Sequence, residues 1–563
     1  MSQTANMLTM SNPSDKNSTE KDAGHRSPLR ASAAEKQGED AREGAHATQP
    51  EAAQEPSTEV FAVFGVEPEI QAYAMAKYSR SALSMKESLR EISSQKAEKF
   101  LNTFYFQYGH RSIADLAHIA LAIERLSILA AIEVADEQRW DGQERSTRYQ
   151  DFRKSGYYTP DFGSDDEAQK LYRETVDFLF TEYDALSAHM TQHLINITPK
   201  PADMKQEQYE RTLKARAFDI TRYLLPLATN TSLGEIVNAR TLETQVAHLL
   251  SHTHKEVRQL GDSLKKAATG AAYNVNAESL QDLVAAIRAV NPELGARAEQ
   301  ELLREVKAAP TLVKYADPNP YEMETRRELR QAARELMGSE PVAPSKAIVD
   351  LLDEEPLEVE IATTLLYEHS HHSYRQIRQA VEVAGERRRR EIIDLGLRHR
   401  GKHDEMLRGF RAGQQFRFDI LMDTGGFRDM HRHRRCIQIM QGFTVQHGYE
   451  MLMDMEDAGV RARFDAAMRR VQAAVEKLAA GKSPEAEENS QYAIPLAFKK
   501  RALFKMDFAE VVYISELRTT PAGHVSYRNV AYAMYEAVAR KYPALAKYFR
   551  VHDVNAPVDL LQR

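Results

Sequence analysis

Gln143-Glu-Arg-Ser-Thr-Arg-Tyr149 sets a carboxylate, a hydroxyl and a guanidinium at alternate positions: Glu144, Ser146 and Arg148. In an extended strand these three side chains share one face. The arginine offers a phosphate a bidentate, charge-assisted contact and the serine adds a donor, each such bond contributing roughly 1.5–3 kcal/mol. Without further context, the same pattern reads more simply as a solvated edge strand with a surface ion pair. A second cluster is Arg432-His-Arg-Arg435. Three guanidiniums and an imidazole are costly to crowd together unless solvent or an anion screens them, so a phosphate-bearing ligand would explain them. The plain alternative is an exposed basic helix end favoured by the helix dipole. His369, His371, His372, His431 and His433 invite a metal, but no HExxH-type spacing or carboxylate set completes a site, so none is expected. Cys436 has no catalytic motif around it and reads as a small core residue.

The elements that must hold these groups come next. Residues 416–422 alternate as a half-buried strand, Thr424-Gly-Gly426 reads as a turn, and 427–435 as a short helix carrying the basic cluster. Residues 116–134 form a largely apolar stretch, suited to a buried strand or helix, while 167–191, 277–307 and 326–337 have the composition and spacing of amphipathic helices. Residues 1–58 contain no Phe, Tyr or Trp and are expected to be a disordered tail. The prolines of Asp317-Pro-Asn-Pro320 and of 341–344 mark a linker at 316–345. With 563 residues, a net charge of −7 and no long apolar run, the chain is neither an integral membrane protein nor a dedicated nucleic-acid wrapper. A single cysteine allows no internal disulfide and fits a reducing, cytoplasmic setting.

Three markers recur in order along the chain. His110-Arg-Ser112 is echoed by His371-His-Ser373, Arg222-Tyr-Leu-Leu-Pro-Leu-Ala228 by Gln491-Tyr-Ala-Ile-Pro-Leu-Ala497, and Asn238-Ala-Arg-Thr241 by Glu516-Leu-Arg-Thr519. The offsets, 261, 269 and 278, drift as small insertions in a diverged tandem copy would make them. Two lobes are expected, 59–315 and 346–563, the second carrying a basic helical insertion at 378–412. That insertion, with Arg387–Arg390 and Lys402, reads as a solvated helix; the less favoured reading is an RNA-binding surface.

At these residues the chain resembles the flavin-dependent thymidylate synthase family (ThyX), tandem-duplicated and diverged. The family signature is an Arg-His-Arg triplet followed, after seven residues, by a serine within Glu-x-Ser-x-Arg-Tyr. Here it is divided between the halves. The first keeps Glu144-Arg-Ser146-Thr-Arg148-Tyr149 but has Asp136-Glu-Gln138 in place of the triplet; the second keeps Arg432-His-Arg434 but has Gly442 and Thr444 in place of the serine and arginine. Arg222 and Asn238-Ala-Arg240 follow the family pattern, where the second half has Gln491 and Glu516.

The resemblance implies a helix-rich α+β fold of two tandem thymidylate-synthase-complementing-protein-like lobes. It also implies FAD as cofactor, NADPH and methylenetetrahydrofolate as co-substrates, and methylation of dUMP to dTMP. Carried over residue by residue, Glu144, Ser146, Arg148 and Arg222 would bind substrate, and Arg432, His433, Arg434, Ser112, Asn238 and Arg240 the cofactor. Arg528 would face the uracil ring. The family's homotetramer would be imitated by a homodimer of two-lobed chains, with composite sites pooling the surviving half-motifs. Two other readings remain: a flavin- or nucleotide-binding homologue that has lost the reaction, and a helical RNA-associated scaffold.

Overall fold

Strand β1 (His118–Ser127) ends on a serine whose Oγ accepts from Ala130 N at 3.0 Å and so caps the helix Ile128–Ala135. The apolar stretch is therefore both a strand and a helix, with the cap deciding where one becomes the other. β2 (Asp141–Glu144) and β3 (Asn230–Asn238) complete an antiparallel sheet in the order β1-β3-β2. In the second half, β4 (Val349–Leu351), β5 (Phe416–Asp423), β6 (Ile437–Met440) and β7 (Lys499–Met506) form an antiparallel sheet in the order β4-β5-β7-β6. Removing the short edge strand β4 leaves the order of the first sheet. Asp423 caps the helix Thr424–Met430, accepting from Gly426 N at 2.6 Å, as Ser127 does in the first half.

The molecule is described by a computed structural model over residues 63, 65–77, 85, 86, 89, 111–338, 340–344, 347–353, 355–401, 407–413, 415–547 and 549–561. The expected tail at 1–58, together with His110 and Lys402, lies outside them. Among the described residues no helix is long and apolar enough to cross a membrane.

Around the two Pro-Leu-Ala segments, 226–228 and 495–497, the duplication becomes a symmetry. They run antiparallel, Pro226 opposite Pro495, with Leu227 N to Ile494 O at 2.9 Å, Ala228 N to Tyr492 O at 2.8 Å and Leu496 N to Leu225 O at 3.0 Å. Pro226 and Pro495 are equivalent residues of the repeat, so a pseudo-twofold axis passes between them. The flanking bonds obey it: Ile128 N and Leu129 N donate to Thr229 O and Leu227 O, as Thr424 N and Gly425 N donate to Phe498 O and Leu496 O. Tyr223 packs edge-on against His524, and Tyr492 against His254, with ring centroids 5.6 and 5.5 Å apart. A buried pair is even preserved with its chemistry exchanged. Ser127 Oγ donates to Glu256 in one lobe; Ser526 Oγ donates to Asp423 in the other. One apolar core containing Ile128, Tyr223, Leu227, Phe427, Tyr492 and Leu496 runs through both lobes.

Three local expectations change. β5 is buried on both faces, not half-buried, because helix Leu357–Tyr367 covers its polar side. There Asp419 meets Arg501 at 2.9 Å and Tyr367 OH at 2.6 Å, and Arg417 meets Glu355 at 2.9 Å. Thr424-Gly-Gly426 is helix, not turn; a Cβ on Gly426 would lie 2.6 Å from Ser526 Oγ, so glycine lets the helix Val525–Lys541 approach. The 277–307 stretch is two helices, Ala277–Val290 and Pro292–Leu302, broken at Asn291-Pro292.

Within 316–345, helix Pro320–Met337 sends Leu329, Ala332, Ala333 and Met337 into a second core with Val359, Leu366 and Ile377. The same helix pairs with part of the basic insertion, Glu335 with Arg388 at 2.9 Å and Glu328 with Arg398 at 3.3 Å. Arg387 is held by Glu391 at 3.1 Å. Charges matched in this way leave less field for RNA.

A shared core predicts joint unfolding. Leu227→Ala and Leu496→Ala each remove a fully buried side chain at the axis. Each should lower stability by about 2–5 kcal/mol within a single urea transition. Two separate transitions, only one of them moved by either variant, would contradict the shared core.

Candidate functional site

The segment after β2 does not continue as a strand. Ser146 Oγ accepts from Arg148 N at 3.2 Å and turns the chain, so Glu144, Ser146 and Arg148 do not share one extended face. The turn instead sends Glu144 and Arg148 to different partners in the other lobe. Glu144 is hydrogen-bonded by Arg428 Nη2, and Thr147 Oγ1 by Arg428 Nη1 at 3.2 Å. Arg148 is buried and forms a fork with Asp219, both bonds 3.0 Å, while also donating to Tyr527 OH at 3.0 Å and Ala522 O at 3.1 Å. Helix Gln206–Thr221 places Asp219 three residues before Arg222, so one carboxylate serves both guanidiniums.

Arg222 is 2% exposed and lies 3.6 Å from Asp219 and 3.7 Å from Asp429, yet its Nε and Nη2 make no hydrogen bond. A buried guanidinium with unspent donors is expensive unless something accepts from it. Arg518, at the end of helix Phe508–Arg518, donates from Nε to His433 Nε2 at 2.8 Å and lies over the Tyr527 ring at 5.5 Å. Arg148, Arg222, His433 and Arg518 are thereby joined through Tyr527, Asp219 and Asp429. Asp219 and Asp429 lie beside the arginines, and buried Glu510 lies 3.5 Å from His433 Nδ1, so what the junction leaves open to an acceptor is the pair of unspent donors on Arg222.

The electrostatics follow burial. Although burial opposes it, the attraction of His524, Arg222 and Arg148 holds Asp219 well below the carboxylate range. Burial lowers His433 and Arg518 from their usual values, and it pushes the Arg434 guanidinium down to about 10. His524 and its symmetry mate His254 are pushed down to about 3 by burial, so both are neutral imidazoles at pH 7.

The other expected residues divide. Arg432 is exposed. Arg434 reaches lobe one, donating to Ala135 O and stacking over Trp140 at 4.8 Å. Arg528 is held by Thr519 O at 3.1 Å and Asp553 O at 3.4 Å, outside the cluster. Ser112 is exposed in the turn Arg111–Leu116; Asn238 caps helix Ala239–Leu250 by accepting from Thr241 N at 2.8 Å; and Arg240 pairs with Asp115 at 3.3 Å. Glu243, Thr244 and His248 of that helix line a cavity of about 840 Å³ at the opposite junction. Cys436 is buried, its thiol pushed up to about 12 by burial, consistent with a packing role.

Arg518 was missed because the third repeat marker was paired in the wrong register. Asn238 follows β3 and Asp507 follows β7, each capping the next helix, so the true offset there is 269. This pairs Leu249 with Arg518; one residue more, the offset that His254 and His524 keep, pairs Arg258 with Arg528. Asp219, by contrast, was legible as a helical neighbour of Arg222.

The structure is that of a duplicated α+β chain that gathers buried arginines from both copies where the two lobes meet. The family described as Thy1, thymidylate synthase complementing protein, matches residues 64–272 and again 347–544, and the chain belongs to that family. Among relatives, a UPF0159 protein of Chlamydia muridarum is 27% identical over 88% of this chain and 92% of its own length. A flavin-dependent thymidylate synthase of Clostridium tetani is 24% identical over 37% of this chain and 80% of its own length. The solved Thymidylate Synthase X of Helicobacter pylori with FAD and dUMP shares 16% identity, covering 36% of this chain and 88% of that one, with a TM-score of 0.25.

The neutral histidines give a pH prediction. Unfolding returns His254 and His524 to the ordinary value near 6.5, so between about 6.5 and about 3 the unfolded chain binds more protons. Stability from these groups is present above about 6.5 and is lost as pH falls through that window. The urea midpoint should drop from pH 7 to pH 5, and His254→Gln should flatten that dependence. An unchanged slope in the variant would rule out this source.

Proposed function

We propose that the chain is a flavin-dependent thymidylate synthase that methylates dUMP to dTMP, using methylenetetrahydrofolate and NADPH, at the junction of Arg148 and Arg222 with His433 and Arg518. The observation that supports it is the unspent pair of donors on fully buried Arg222, beside Arg148, where two lobes meet. Arg222, Arg148 and Ser146 hold the nucleotide phosphate, a role for which guanidinium forks supply both charge and orientation. Asp219 keeps both arginines aligned before the anion arrives.

Arg518, oriented by His433, approaches the pyrimidine and stabilises negative charge developing on the ring. Arg528 instead fixes the C-terminal segment through Asp553. The chain's groups suit an anionic flavin cofactor: Arg434 has a buried Nη2 without a hydrogen-bond partner, and Arg432 is free to meet phosphate from solvent. FAD, when bound, supplies the hydride and is recharged by NADPH. Two two-lobed chains would pair as a homodimer.

The purified protein should show a flavin absorption spectrum and convert dUMP to dTMP with methylenetetrahydrofolate and NADPH. Arg518→Ala should lower kcat by about 10²–10³-fold while leaving the flavin in place. Arg528→Lys should act mainly on thermal stability. Flavin retained with no product would favour the homologue that has lost the reaction; colourless protein would remove the flavin reading altogether.

A further inference from the structure

The pseudo-twofold axis that builds the Arg148 junction also builds a second junction from the opposite half-motifs, and there the cavity of about 840 Å³ opens. Every arginine of the first junction has been replaced in the second. Thr444 stands for Arg148, Gln491 for Arg222, Asp136 and Gln138 for Arg432 and Arg434, and Leu249 for Arg518. The cations that line the cavity are drawn from elsewhere and are engaged: Arg408 by Asp136, Arg411 by Gln138, Arg330 by Glu488 at 3.3 Å and Arg334 by Glu487 at 3.5 Å. Lys500 donates to Gln441 O at 2.6 Å and sits 3.7 Å from the Phe443 ring. Carboxylates in the lining outnumber arginine and lysine ten to six. A phosphate entering here would meet repulsion where the first junction offers donors.

What remains unspent is uncharged. Gln441 is 1% exposed and its Oε1 has no hydrogen-bond partner; the buried Nδ1 of His371 has none either. Both residues line the cavity, with Phe443 beside them. His371 is pushed down to about 4 by burial and is neutral at pH 7, so its ring presents one donor and one acceptor. An amide acceptor, a neutral imidazole and an aromatic face are the fittings of a heterocycle with a donor–acceptor edge. Among the described residues no set of three or more His, Cys, Asp or Glu is arranged to hold a metal. The volume falls within the range of small-molecule pockets.

We propose that this second junction is a binding site for a phosphate-free heterocycle of nucleoside size, held by Gln441 and His371, and that it discriminates against nucleotides. The division of labour is then asymmetric: one copy of the ancestral site retains the anion cradle, and the other has exchanged it for neutral recognition. This inference rests on the pseudo-symmetry and the cavity and does not require the chemistry assigned to the first junction.

The test is calorimetric titration of the full chain with uridine, deoxyuridine, thymidine, cytidine, adenosine and guanosine and with their 5′-monophosphates. At least one nucleoside should bind, and His371→Leu and Gln441→Leu should each weaken it about tenfold or more. Neither variant should alter dUMP binding, which Arg148→Ala should abolish, so failure at one junction is separable from failure at the other. Should either variant fold poorly by circular dichroism, photo-crosslinking of wild-type protein with 4-thio- and 8-azido-nucleosides decides the matter by peptide mapping. Crosslinks within 438–446 support the site; crosslinks only elsewhere overturn it. Absence of nucleoside binding across the panel, or a monophosphate whose affinity is lost in His371→Leu, also overturns it.

Discussion

The antiparallel pairing of the two Pro-Leu-Ala segments is the interaction from which the rest of the molecule follows. Proline at the point of closest symmetry has no N–H to offer, so the ladder is carried by Leu227, Ala228 and Leu496 on either side. Because each segment also accepts from the first turn of a cap-bearing helix, the pairing fixes both helices at once. Thr424–Met430 is thereby set against the turn after β2, and Ile128–Ala135 against the segment after β6. Two junctions result from one contact.

Burial makes these junctions selective. At the first, Arg148 and Arg222 are out of solvent, where an unpaired guanidinium is costly, and Asp219 and Asp429 offset much but not all of that cost. The deficit is the unspent donors of Arg222, and it is what an incoming anion would remove. At the second, Asp136 has turned the sign of the triplet, and Arg408 from the inserted segment has come in to answer it. The insertion thus works on the opposite lobe, while Arg387, Arg388, Arg390 and Arg398 are held by carboxylates of its own helix or of helix Pro320–Met337.

Duplication relaxes the requirement that both junctions do one task. The same backbone, the same Tyr–His packing and the same capped helices surround both, as the Tyr223–His524 and Tyr492–His254 pairs show. The polar side chains at the two junctions have diverged within this frame, Arg148 answering to Thr444 and Arg222 to Gln491. The Ser127–Glu256 and Ser526–Asp423 pairs show the same freedom within the scaffold: hydroxyl and carboxylate have changed places while the bond persists.

Sequence by itself determined the repeat, the family pattern and the identity of the polar groups, because motif spacing and periodicity are local properties of the chain. Glu144, Ser146, Arg148, Arg222 and the 432–434 triplet were legible for that reason. Their partners were only partly so. Asp219 lies one helical turn from Arg222, but Asp429, Arg518 and Tyr527 reach Arg148 and Arg222 only through the pseudo-twofold packing, and the nine-residue slip in the last marker concealed Arg518 behind Arg528. The cavity at the second junction was invisible. Its lining comes from helices far apart in the chain, and its meaning lies in what those residues lack, unspent hydrogen bonds and matching charge, which only folding decides.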